Sequence, residues 1–106
     1  MLTPNDERIA RLLKRQIQSM APVRRLVVYG SRARGNASED SDLDVFIELS
    51  QITPALRRQI SDIAWEVGFS EGMVISTFVA TTQAITNSPL SANPILKAIQ
   101  SEGIAV

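Results

Sequence analysis

Ten residues separate Gly30-Ser31 from Asp42-Leu43-Asp44, and this spacing constrains the chain more than any other feature. The run VVYGSRARGNASEDSDLDVFIEL, residues 27–49, joins an apolar segment that stops at Gly-Ser to a second that starts with two carboxylates. RRLVVYG reads as a short apolar strand. DLDVFIEL alternates, placing Leu43, Val45, Ile47 and Leu49 on one face and Asp42, Asp44, Phe46 and Glu48 on the other. If the two strands are antiparallel neighbours, the end of the first and the start of the second share one sheet edge. The loop is long enough for that return, so Ser31 and both aspartates are expected to face one another.

Each residue type in this pattern has a chemical use. Gly30 lets the backbone turn sharply and approach a ligand closely. Ser31 offers a hydroxyl, and the N–H groups after it are of the kind that take phosphate oxygens. Asp42 and Asp44 project to one face, where two like charges repel and one tends to keep its proton. A divalent cation relieves that conflict. Magnesium or manganese, completed by triphosphate oxygens, suits an all-oxygen site and supports in-line displacement at phosphorus.

The rest of the chain narrows the alternatives. It has no cysteine and no histidine, which removes disulfides, Cys-ligated zinc and the His-dependent nucleophilic triads. Lys plus Arg number 11 and Asp plus Glu number 11, so the net charge is zero and no direct nucleic-acid binding is expected. No apolar run approaches the ~20 residues of a membrane span. The start of the sequence lacks a signal-peptide pattern, so a cytoplasmic protein is expected.

Thr3-Pro4 and Thr53-Pro54 both read as helix starts, an N-cap followed by proline. The first helix is expected over 4–20, with Asp6 and Glu7 in its first turn and Pro22 beyond its end. The second carries the stripe Leu56, Ile60, Ile63, Ala64, Val67 and is expected to end near Gly68. GMVISTFVA reads as a third strand. One or two short helices follow, with Gly103 as a C-cap. The expectation is a single α/β (α+β) domain over 1–106: a small mixed sheet with helices packed on it. Trp65 is expected in the core or at a subunit interface, with base stacking a lesser alternative. Arg24 and Arg25 are expected in solvent. Arg57 and Arg58, cations near a helix start, point mildly to an external anionic contact.

The run GSRARGNASEDSDLDVFIEL resembles the signature of the DNA polymerase beta nucleotidyltransferase superfamily, and in particular its minimal bacterial and archaeal members. The resemblance is carried by Gly-Ser, Ala-Arg-Gly and Ser-Asp-x-Asp together, over residues 27–49. It implies a polymerase beta-like fold. Gly30 and Ser31 would hold nucleotide phosphates, Asp42 and Asp44 would hold Mg2+ or Mn2+ as the catalytic carboxylates, and Arg34 would touch phosphate or fix the loop. It further implies that ATP is the substrate, that the partner in a hetero-oligomer is a HEPN-domain ribonuclease toxin, and that AMP passes to a tyrosine of that toxin, the chain acting as antitoxin. The short length agrees with an acceptor site supplied by a partner protein.

Active members of the superfamily usually carry a third carboxylate on a later strand. Here MVISTFVA offers only Ser76 and Thr77 as polar positions. Glu71 precedes the strand, and Glu48 lies roughly 13 Å further along its own strand than Asp44. Neither replaces it convincingly. Three readings stay open. The site binds nucleotide with little or no turnover, and the chain neutralises its partner by complex formation alone. The partner supplies the missing group. Or two aspartates suffice, since a tyrosine hydroxyl (pKa ~10) ionises more easily than a ribose hydroxyl. A small-molecule acceptor presented by a separate subunit would use the same metal site.

Overall fold

A computed structural model describes residues 1–106. Its elements are α1 (Pro4–Gln18), β1 (Val23–Tyr29), α2 (Ser31–Arg34), β2 (Leu43–Leu49), α3 (Pro54–Glu71), β3 (Ile75–Thr81), α4 (Thr82–Asn87), a 3-10 turn (Pro89–Ala92), α5 (Pro94–Glu102) and β4 (Ile104–Ala105). The four strands form one mixed sheet in the order β3-β2-β1-β4. β1 and β2 are antiparallel, with Val27 opposite Phe46 and Tyr29 opposite Asp44. β2 and β3 are parallel, a connection that needs a long crossover, which α3 supplies.

The alternation in β2 sorts the core into two layers. Leu43, Val45, Ile47 and Leu49 face α1 and α3, where they pack with Ile9, Leu13, Ile17, Ile60, Ala64 and Val67. Phe46 points the other way and packs with Val27, Ala80, Leu96 and Ile99. The second layer brings α5 onto the same face as Asp44.

The helix starts form as the sequence dictates. Thr3 Oγ1 accepts from the Asp6 N–H and Thr53 Oγ1 from the Leu56 N–H, both at 3.0 Å. α1 stops at Gln18, two residues short of the expected end. α3 runs past Gly68 to Glu71, and the left-handed residue that ends it is Gly72 (φ 70°). Gly68 is needed for another reason: a Cβ there would lie 2.3 Å from the Met73 carbonyl oxygen, where the chain doubles back. Gly103 does follow α5, but in extended backbone (φ −67°, ψ 146°). It is glycine because a Cβ would meet Ile99 O at 2.3 Å and Val27 Cγ1 at 2.5 Å.

Candidate active site

β1 ends beside the start of β2, and Gly30 makes the turn with φ 76° and ψ −157°. An added Cβ there would sit 2.4 Å from Asp44 Oδ2. Glycine is therefore required twice, by backbone conformation and by the approach of the carboxylate. Ser31 opens the single turn α2, which Gly35 (φ 82°) closes through its N–H to Ser31 O. The first N–H groups of such a turn have no acceptor within it. Gly30, Ser31, Asp42 and Asp44 thus converge at one sheet edge, as the spacing requires.

The return loop is held by a buried ion pair. Arg32 NH1 donates to Asp6 Oδ1 at 2.9 Å, and both side chains are buried. Its Nε and NH2 donate to the Ser41 carbonyl at 3.0 and 2.7 Å, and NH2 also reaches Glu39 O at 3.2 Å. Arg32 thereby ties the loop to α1 and fixes the residue before Asp42. Sequence reasoning took Asp6 only as a first-turn charge and passed over Arg32.

Asp42 Oδ2 accepts from Ser76 Oγ at 3.1 Å. Ser76 is in register with Asp44, so it occupies the β3 position beside the two aspartates. The Asp44 carboxyl is pushed above the usual range, first by burial and second by the charge of Asp42, with Arg34 opposing. Tyr29 is raised as well, by burial and then by Asp44. This donor set fits magnesium, which binds through one or two carboxylates and takes its remaining ligands from phosphate and water. No third Asp, Glu, His or Cys joins them in a metal-ligating group. Glu71 pairs with Arg8, and Glu48 is engaged by Arg25 at 2.7 Å, Thr82 at 2.7 Å and Arg24 at 3.6 Å.

Arg34 comes to the site, but its direct partner is Glu102, a residue the sequence did not single out. Glu102 Oε2 accepts from the Gly30 N–H at 3.0 Å and from Arg34 NH1 at 2.8 Å. The only sequence signal was an acidic residue at the end of an amphipathic helix, which says nothing of where that end lands.

Arg24 and Arg25 are exposed, as expected, and both pair with Glu48; Arg25 also lies over the Phe46 ring at 5.3 Å. Trp65 is not core. It is 67% exposed and stacks on the equally open Phe69 at 5.2 Å, because the buried stripe runs through Ala64, one residue away. Trp65 shares a groove with Ile75 and Thr77, which alternate with Ser76 and so face away from the aspartates. This places the Trp65 groove on the sheet face opposite the aspartates. Arg57 reaches the Val79 carbonyl, at 3.5 Å.

A family model described as a nucleotidyltransferase domain matches residues 10–103. The chain belongs to that nucleotidyltransferase family. The domain is similar to the protein adenylyltransferase MntA of Thermococcus cleftensis, with 36% identity over 58 residues, covering 54% of this chain and 59% of that protein. The nucleotidyltransferase fold is shared with two solved structures. One is a mutant MntA-HpeT toxin-antitoxin complex (TM-score 0.60, 11% identity, 94% of this chain and 70% of that chain). The other is a toxin-antitoxin structure with AMP-PNP (TM-score 0.62, 14% identity, 95% and 71%). No helix of the domain is long and apolar enough to cross a membrane.

Proposed function

We propose that this domain transfers AMP from ATP to a hydroxyl of a partner protein, a tyrosine of a HEPN-family toxin, and so acts as its antitoxin in a hetero-complex. The observation that carries the reading is the close approach of the Gly30 turn to Asp44, where an added Cβ would lie 2.4 Å from Oδ2. The acceptor oxygen attacks the α-phosphorus, the bond to pyrophosphate breaks and pyrophosphate leaves, and the acceptor proton passes to solvent. Asp42 and Asp44 would hold Mg2+, which neutralises charge on the phosphate oxygens when bound. Gly30 and Ser31 would hold the phosphate tail. The partial match to an adenylyltransferase and the fold shared with toxin-antitoxin complexes support the choice of acceptor.

A second reading rests on Ser76. A neutral hydroxyl stands beside Asp42 and Asp44 where a third carboxylate would lie, which favours a nucleotidyltransferase fold that masks its partner without turnover. Intact mass spectrometry of the HEPN partner, after incubation with the domain, ATP and magnesium, separates the two. A gain of one or more AMP units with wild type, absent with the Asp42→Ala/Asp44→Ala variant, is the expected result. A stable complex with no mass gain overturns transfer and leaves masking.

A further inference from the structure

Glu102, which lies outside the motif, accepts a hydrogen bond from the backbone of the candidate phosphate turn, and its role deepens the reading above, on which it rests. Period-two alternation carries the β1 rungs that face β4 onward to Gly30: Leu26 O accepts from the Val106 N–H, Val28 pairs with Ile104, and the Gly30 N–H is next in line. β4 does not extend that far. The Glu102 carboxylate fills the missing rung and meets Arg34 with the same oxygen.

Its placement is firm. Leu96 and Ile99 bury α5 on Val27 and Phe46, and Gly103, pressed on Val27, leaves no room for the helix end to shift inward. Arg34 NH1 is engaged by Glu102, while its Nε and NH2 make no hydrogen bond within the chain. A guanidinium clamped at one nitrogen presents its remaining donors in a fixed direction, which is how arginine gains specificity for phosphate oxygens.

We propose that Glu102 is a positioning residue of the nucleotide site, fixing the Gly30 turn and aiming the free donors of Arg34 at the phosphates of ATP.

The test is calorimetric binding of ATP with magnesium, without acceptor, to wild type and to Glu102→Gln, Glu102→Ala, Arg34→Gln and Arg34→Gln/Glu102→Gln variants. Asp42→Ala/Asp44→Ala serves as the control on the underlying reading. Gln keeps an acceptor for the Gly30 N–H and loses the charge facing Arg34, so a loss of about threefold is expected; Ala loses both contacts, and about tenfold is expected. The double variant should bind no more weakly than Arg34→Gln alone, because the two residues act through one contact. A merely structural role would instead lower melting temperature and affinity in parallel and add to the Arg34 effect, and that outcome overturns the proposal. Wild-type affinity in Glu102→Ala overturns it too. Tighter binding in Glu102→Ala would show a carboxylate competing with phosphate, the opposite of positioning. If wild type and the aspartate variant fail alike to bind ATP, the nucleotide reading itself falls, a result distinct from the other three.

Discussion

Asp44 and Glu48 lie on one strand and one face, yet they are opposites. Glu48 is saturated: Arg25, Thr82 and Arg24 surround it. Burial alone would raise its carboxyl, but the Arg25 and Thr82 hydrogen bonds and the two arginine charges hold it below the usual range. Asp44 is unsaturated: burial and Asp42 push it upward against the single counter-pull of Arg34. Sequence alternation assigns both to the same face and cannot tell them apart. What distinguishes a structural carboxylate from one kept for a ligand is the set of cations left beside it.

The sharpest way to break this contrast is activity. Asp44→Ala should lower AMP transfer about a thousandfold or more, on the several-kcal/mol scale of lost transition-state charge stabilisation. Glu48→Ala, assayed per folded molecule, should stay within a few-fold of wild type. Equal losses in the two variants would erase the distinction. Asp6 extends the comparison to a carboxylate that is buried and paired. Arg32→Met strands its charge and should cost about 3–5 kcal/mol by urea denaturation, with the loop before Asp42 loosened. An intact stability would mean that the pair is dispensable.

Glu48→Gln should cost less, about 1–2 kcal/mol, since the hydrogen-bonded shape survives while the charge is lost. The smallest effect is one of sign. The lowered Glu48 contributes stability that is present above the ordinary unfolded carboxylate value and lost as pH falls through its folded value. The raised Asp44 does the reverse: the native state binds its proton more readily, so stability declines as pH rises through that raised value. Asp44→Asn should therefore raise the melting temperature at neutral pH by a few degrees at most, and lose that advantage in acid. A decrease at neutral pH would show that Asp44 is not under electrostatic strain.

The hairpin and its two aspartates were legible because every signal in them is local: a period of two, a Gly-Ser turn, and a loop whose length alone brings the ends together. The helix starts were legible for the same reason, as Thr-Pro is read within one turn. The two-residue β4 was not, because Ile104–Ala105 is too short to show alternation and is defined only by pairing with β1. Glu102 and Arg32 were hidden by distance. Their partners at Gly30 and Asp6 lie 72 and 26 residues away in sequence, and nothing in a Glu or an Arg announces such a partner. The core alternative for Trp65 came from adjacency to the buried stripe, although its angular offset from Ala64 already pointed it outward.

The hydrogen bond between Gly30 and Glu102 also sets a clock. At about 5–20 residues per second of synthesis, the 72 residues between them take about 4–14 s to make. A hairpin of adjacent strands closes in microseconds. Each new chain therefore carries both aspartates for seconds before the residue that braces the turn exists, an interval in which the hairpin has at best marginal stability of its own.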